Sequence, residues 1–277
     1  MGNSLPLVCG INDVDFFGHD FGYIHDIWMI MVENNFVIVI PSYKNKKWCR
    51  KNLLSALNQR YENFRIIYTD DCSPDGTGEE AEKVIAQHDK KNRVTLIKNQ
   101  ERKGAMRNMY EMVHSCDDEE IIVVLDGDDW FANSGVLTRV NKEYEKGMWM
   151  TYGQYRSYPD NRIGCSRTIP QNIRDTNRYR RFRWCSSHLR TYKAWLFKRI
   201  KPEDLQENGE WLDMSSDLAA MFPMLEMAGN HHSFISDVLY FYNYTSPIND
   251  AKVNINRQQG LERRIRAMRP YPKITDR

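Results

Sequence analysis

The sequence has little that would organise it by cross-links or metal clips. Its six cysteines, Cys9, Cys49, Cys72, Cys116, Cys165 and Cys185, form no C-x-x-C pair, and no histidine stands beside them at metal-finger spacing. A zinc module or a disulfide scaffold is thereby excluded. Long apolar runs are missing too: Phe36 to Ile40 and Ile121 to Leu125 fall far below the ~18 residues of a membrane helix. The amino end shows no basic-then-apolar leader, and Pro6 stands where a myristoylation signal takes Ser or Thr. With thiols reduced by default, the expectation is an intracellular, cytoplasmic chain. There is no internal repeat and no low-complexity tract.

What is present is the composition of a globular protein. Hydrophobic residues make up 41% of 277 and charged residues 27%, enough to build a large buried core and too apolar for disorder. The net charge of +2 hides an asymmetry. Residues 1–150 carry 18 Lys and Arg against 24 Asp and Glu, net −6, and residues 151–277 carry 21 against 13, net +8. One half is acidic and the other basic.

From Phe36 the pattern alternates. Phe36 to Ile40 reads as a strand, and Trp48, Leu53, Leu54 and Leu57 follow at helical spacing. Strands at Phe64 to Thr69, Val94 to Lys98 and Ile121 to Leu125 then alternate with helices around Ala81 to Ile85 and Ala105 to His114. Such alternation predicts an α/β fold with a mostly parallel sheet, whose ligands bind beyond the carboxyl ends of its strands. Past Tyr158 a polar, arginine-rich segment, 159–184, reads as a long loop or lid. A strand-like Leu189 to Leu196, a helix from Asp217 to Ala228, strands at Ser233 to Ile235 and Val238 to Tyr242, and a basic helix from Gln258 to Met268 follow. These are expected to pack on the same sheet.

The strand ends carry unusual chemistry. Pro41-Ser42-Tyr43-Lys44-Asn45 follows the first strand and Asp70-Asp71-Cys72-Ser73-Pro74-Asp75-Gly76-Thr77 the second. Each alone also reads as a turn and helix start. The fourth ends in Asp126-Gly127-Asp128-Asp129-Trp130, three carboxylates in four residues behind a buried strand. Uncompensated, such groups repel, so the cluster calls for a cation or donor groups. All-oxygen ligands suit Mg²⁺ or Mn²⁺ with positions left for phosphate oxygens. A solvated acidic turn is the blander alternative, and the spacing lacks the closing Glu of a calcium loop.

Phe36 to Asn45, Tyr68 to Thr77, Lys103-Gly104-Ala105-Met106-Arg107-Asn108 and Leu125 to Trp130 together resemble the successive motifs of family 2 glycosyltransferases with the GT-A fold, well over residues 35–155 and more loosely beyond. The resemblance implies a Rossmann-like, mostly parallel central sheet flanked by helices, in a single domain with an acceptor-side C-terminal subregion. It divides the chain into an N-terminal extension (1–34), a nucleotide-sugar half (35–155), an acceptor half (156–250) holding the lid segment, and a basic C-terminal helix and tail (251–277). The activity implied is inverting transfer of a sugar from a nucleotide-sugar, with UDP the expected nucleotide, to a hydroxyl of a glycan, protein or small molecule. Tyr43 would stack on the base beside Pro41, Asp71 would accept from the uracil imide, and Lys103 and Arg107 would lie along the donor. Asp126 would touch the ribose or a metal-bound water beside Gly127, and Asp128 would bind Mn²⁺ or Mg²⁺. Asp129 adds a third carboxylate that departs from the pattern.

Inversion also needs a base for the acceptor hydroxyl. Asp217, opening an apolar helix, resembles the family's catalytic carboxylate, although the helix dipole alone favours an acid there. Asp213 is its nearest competitor. Arg181, Arg183 and Trp184, in a run of arginines and aromatics, would grip phosphate or sugar from the lid or form an exposed basic loop. His188 and Arg190 would line the acceptor side. His231 and His232 read as turn residues. The C-terminal helix is expected to be a solvated face or a dock onto the core, with a peripheral membrane contact as the alternative.

Other functions predict other features. A sugar nucleotidyltransferase favours a glycine- and lysine-rich loop after the first strand, where this chain has no glycine. A nucleic-acid-binding protein would use the arginine and aromatic run, but the acidic strand ends argue against a nucleic-acid partner. A lectin-like relic would bind the nucleotide without turnover.

Overall fold

A computed structural model of the chain describes residues 33–246 and 250–275, so most of the expected N-terminal extension lies outside the described residues. Among them one sheet has eight strands in the order β3-β2-β1-β4-β7-β6-β10-β5. Strands β1 (Phe36–Ser42), β2 (Phe64–Asp70), β3 (Val94–Lys98) and β4 (Ile121–Val124) are parallel. Helices α1 (Lys46–Leu57), α2 (Thr77–His88) and α3 (Ala105–His114) connect them. This is the expected mostly parallel α/β sheet.

Strands β1 and β4 read as near-continuous apolar runs because both faces are covered. Phe36, Ile38 and Ile40 of β1 pack with α1, α2 and α4 (Val136–Tyr144), while Val37 and Val39 face the core built around α3 and the C-terminal helices. On α1 the buried residues are Cys49, Asn52, Leu53 and Ala56, one helical stripe. Register aligns the strand ends: Ser42 is level with Asp70 and Val39 with Val124, so the three loaded turns emerge side by side.

The second half extends the same sheet with reversed strands. β7 (Arg190–Lys193) runs antiparallel to both β4 and β6 (Met150–Tyr158), and β10 (His232–Asn243) pairs parallel with β6. The short β5 (Trp130–Phe131) closes the edge, antiparallel to β10. Several expectations change here. The strand expected over 189–196 is β7 followed by helix α6 (Ala194–Lys198), and the two strands expected over 233–242 are one strand whose register shifts after Ile235 and after Val238. Residues 159–184 are not one open loop: they contain α5 (Gln171–Asp175) and a 3₁₀ turn at Tyr179–Arg181.

A small ribbon of β8 (Gln206–Glu207) and β9 (Glu210–Trp211) precedes α7 (Ser216–Ala228), every residue of which is buried from Leu218 to Ala228. Two further helices follow, α8 (Asp250–Val253) and α9 (Ile255–Ala267). The basic α9 is docked: Leu261 and Ile265 are buried, Arg257 pairs with Glu207 and Asp213, and Arg266 donates to the carbonyls of Arg180 and Phe182. No helix among the described residues is long and apolar enough to cross a membrane.

Candidate active site

The acidic turn at the end of β4 is held from three directions. Gly127 donates to the Pro41 carbonyl at 3.2 Å, and a Cβ on Gly127 would lie 2.5 Å from Ser42 Oγ and 2.7 Å from Asn45 Nδ2. Only glycine fits so close an approach. From α1 the buried Asn52 amide donates to the carbonyls of Asp126 and Asp129, both at 2.9 Å. From β10 the Tyr240 hydroxyl accepts from the Asp126 amide at 3.1 Å and donates to Asp129 Oδ2 at 2.7 Å, while the Asn243 amide donates to Asp129 Oδ1 at 2.7 Å.

The three carboxylates therefore differ. Asp129 is 1% exposed with both oxygens engaged by β10; burial, then the charges of Asp128 and Asp126, raise its pKa well above the carboxylate range. Its departure from the family pattern is a structural tie. Asp128 is half-buried and meets the Ser246 hydroxyl; burial above all, with the Asp126 charge adding, pushes it up to about 6. Asp126 is the carboxylate that Arg190 grasps, Nη2 to Oδ2 at 2.7 Å.

Arg190 joins this turn to the opposite wall. Its Nη1 lies 4.0 Å from Asp217 Oδ2 in the first turn of α7. Burial raises the Asp217 pKa, and the Arg190 charge opposes that rise. A small cavity beside the pair is lined by Asp126, Arg190 and Asp217 with Pro41, Met106, Met109 and Met221. Asp213, the competing base, is 56% exposed and paired with Arg257 at 2.9 Å. A wider groove lined by Arg60, Glu62, Lys91 and Arg93 opens at the amino ends of β2 and β3, and its Lys91 and Arg93 are paired with Glu62.

His188 is buried, stacked on Tyr240 with ring centroids 4.7 Å apart and on Tyr242 at 5.0 Å. Burial, then Arg190, depress its pKa well below the usual value, so the ring is neutral. Its Nδ1 has no hydrogen-bond partner among the described residues and lies 3.7 Å from Asp126 Oδ2. Possible ligand atoms of Asp126, Asp129 and His188 all fall within 4.8 Å of one another. Asp128, the expected ligand, is outside that set, and its carboxylate meets the Ser246 hydroxyl. A buried imidazole nitrogen without a partner beside carboxylate oxygens is a donor set that fits a divalent cation such as Mn²⁺.

The base-side residues are also placed. Tyr43 is half-buried, and the Arg102 guanidinium, which the sequence reading passed over, lies 4.2 Å over its ring. Asp71 is 3% exposed and accepts from the amides of Lys103 and Gly104, each at 2.8 Å, and from Asn99 Nδ2 at 2.9 Å. Burial works to raise its pKa, but these hydrogen bonds prevail and lower it. Asp71 thus shapes the turn that carries Lys103. Lys103 and Arg107, expected to lie along the donor, share Glu111 at 2.6 and 3.0 Å.

The arginine and aromatic run is divided by burial. Arg181 and Arg183 are exposed, but Trp184 packs edge-on against Phe222 of α7 at 5.5 Å. Arg180 is 4% exposed and forms a two-point pair with Glu226 at 2.7 and 3.0 Å while donating to the Ile265 carbonyl. The carboxyl end of the expected lid is therefore packed in part, with Arg180 and Trp184 against α7 and α9, while most of residues 159–178 are exposed.

The family model for glycosyl transferase family 2 matches residues 37–205. The chain belongs to glycosyl transferase family 2. It is 30% identical over 123 residues to the glycosyltransferase GlyG of Streptococcus pneumoniae, covering 44% of this chain and 40% of that protein. It is also 30% identical over 139 residues to WfgD of Escherichia coli, a UDP-Glc:alpha-D-GlcNAc-diphosphoundecaprenol beta-1,3-glucosyltransferase, covering 49% and 51%. The aligned stretches span about half or less of these relatives. Among solved structures, Staphylococcus aureus TarS 1–349 in complex with UDP-GlcNAc matches with a TM-score of 0.54 at 17% identity, covering 76% of this chain and 58% of that one. The mannosyltransferase PcManGT of Pyrobaculum calidifontis, in complex with GDP-Man and Mn²⁺, matches at 0.52 and 16% identity, covering 75% and 56%. These likenesses establish the GT-A fold of this family 2 chain.

Proposed function

We propose that this glycosyltransferase is metal-dependent and inverting, and that it moves a sugar from a UDP-sugar to the hydroxyl of a glycan, protein or small-molecule acceptor. One observation carries the reading: Asp126 on the nucleotide side and Asp217 on the far wall meet at one guanidinium, Arg190. That leaves a donor-side acid and an acceptor-side base facing one cavity. Asp217 takes the proton of the attacking hydroxyl as its oxygen bonds to the anomeric carbon and the bond to the diphosphate breaks. Its raised pKa makes it a better base than an exposed carboxylate.

A divalent cation would be held at the acidic turn by Asp126 and His188, whose ligand atoms lie together, with Asp128 joining from the same turn, and would supply charge neutralisation for the leaving diphosphate. Tyr43 offers an aromatic face to the base, and Asp71 positions the 103–104 turn against it. The UDP reading is supported by the UDP-Glc donor of WfgD and by the UDP-GlcNAc in the TarS complex. The domain boundaries proposed are those of the sequence: a donor half over 35–155 and an acceptor half over 156–250.

The test is turnover of a panel of nucleotide-sugars with Mn²⁺ or Mg²⁺ against glycan acceptors, with Asp217→Asn alongside. Turnover of a UDP-sugar that collapses in Asp217→Asn while donor binding survives supports the reading. Equal turnover by wild type and Asp217→Asn removes Asp217 as the base.

A further inference from the structure

Arg190 enters the sheet at an unusual place for a charge. As the first residue of β7 it lies opposite Val124 of β4 on one side and Tyr152 of β6 on the other, and it is 8% exposed. Because β7 runs antiparallel to β4, its first residue sits beside the carboxyl end of β4, where the acidic turn begins. Its side chain reaches Asp217 in the first turn of α7. Asp126 and Asp217 belong to different elements, and neither hydrogen-bonds to the other among the described residues.

We propose that Arg190 is a positioning residue of the transfer reaction: its single guanidinium ties the donor-side carboxylate Asp126 to the acceptor-side carboxylate Asp217 and so sets the spacing between the two halves of the site. Three observations and one property of the side chain support it. The contacts to the two carboxylates are 2.7 and 4.0 Å. A planar guanidinium reaches two acids at once, which a lysine ammonium cannot do with fixed geometry. Both acids border the same cavity as Arg190. Its buried Nε has no partner among the described residues. Without the cation, two inward-facing carboxylates repel across the cavity and α7 loses its tie to the acidic turn.

The turnover arm rests on the proposed function, but the stability arm does not. Wild type, Arg190→Met, Arg190→Lys, Asp217→Asn, Asp126→Asn and the doubles Arg190→Met/Asp217→Asn and Arg190→Met/Asp126→Asn are compared by urea denaturation, by calorimetric UDP binding and by kcat and KM. The expected result is that Arg190→Met lowers kcat about a hundredfold while UDP affinity changes less than about threefold. Arg190→Lys, which keeps the charge without the fork, recovers less than a tenth of the lost rate. The denaturation midpoint lost in Arg190→Met is partly regained in each double variant, because removing an acid relieves the repulsion that its loss creates. Additive midpoints in both doubles, or turnover in Arg190→Met within threefold of wild type, overturn the proposal. If wild type turns over no nucleotide-sugar, the proposed function fails, and the midpoint couplings alone decide whether Arg190 ties the two acids.

Discussion

The Tyr240 hydroxyl accepts from the Asp126 amide at 3.1 Å and donates to Asp129 Oδ2 at 2.7 Å. One side chain from the late strand β10 thus fixes both ends of the acidic turn that follows β4. Tyr240→Phe leaves the Asp129 carboxylate with one lost donor in a buried setting, at a cost of about 1–3 kcal/mol. Chemical denaturation measures it, and affinity for UDP with Mn²⁺ should fall in the same variant. A Phe variant as stable as wild type would show that β10 does not brace the turn.

Gly127 sits where no side chain fits, with Ser42 Oγ 2.5 Å from a built Cβ. Gly127→Ala forces the turn away from β1 and costs about 1–3 kcal/mol as an overpacked site. The readout is again the denaturation midpoint, with loss of nucleotide binding at temperatures where the variant remains folded. Unchanged binding and stability would mean that the turn tolerates displacement.

The pH dependence follows from Asp128. Its folded-state pKa, raised to about 6, exceeds the unfolded value near about 4. The folded chain therefore holds this proton more tightly, and the resulting stability is present below about pH 4 and lost as pH rises through about 6. Melting temperatures of metal-free wild type should decline relative to Asp128→Asn across that window. Added Mn²⁺ should restore the wild type above it. Parallel curves for the two proteins would contradict the raised pKa.

Arg180 and Glu226 form a buried pair that joins the 3₁₀ turn to α7, with Arg180 also held by α9. Arg180→Met strands a buried carboxylate and should cost about 3–5 kcal/mol, whereas Arg180→Met/Glu226→Met should recover most of it. By contrast Arg181→Ala and Arg183→Ala, at exposed positions, should leave the denaturation midpoint nearly unchanged.

These contrasts show what the sequence could disclose. The donor half was legible because β1, β2 and β4 are short β-branched runs largely buried on both faces and its chemistry lies in the turns directly after them. The acceptor half was not. β6 reads Met-Thr-Tyr-Gly-Gln-Tyr-Arg-Ser-Tyr, too polar to announce a central strand, and β10 is broken into two apparent strands by its register shifts. Arg180 stands in the same run as Arg181 and Arg183, and composition cannot separate the buried member from the exposed ones. Asn52 lay unnoticed on the buried face of α1, although a fully buried amide at helical spacing is a signal for a backbone clamp. The bridge made by Arg190 had no local signal at all, since it depends on β7 inserting antiparallel between β4 and β6.

The central claim is that the acidic turn holds a divalent cation for a nucleotide diphosphate. Isothermal calorimetry of UDP with wild type and Asp128→Ala, in Mn²⁺ and in chelator, tests it most directly. The account predicts UDP binding to wild type that needs Mn²⁺ and is lost in Asp128→Ala, although that variant still melts cooperatively. Equal UDP binding by both proteins in chelator would contradict it.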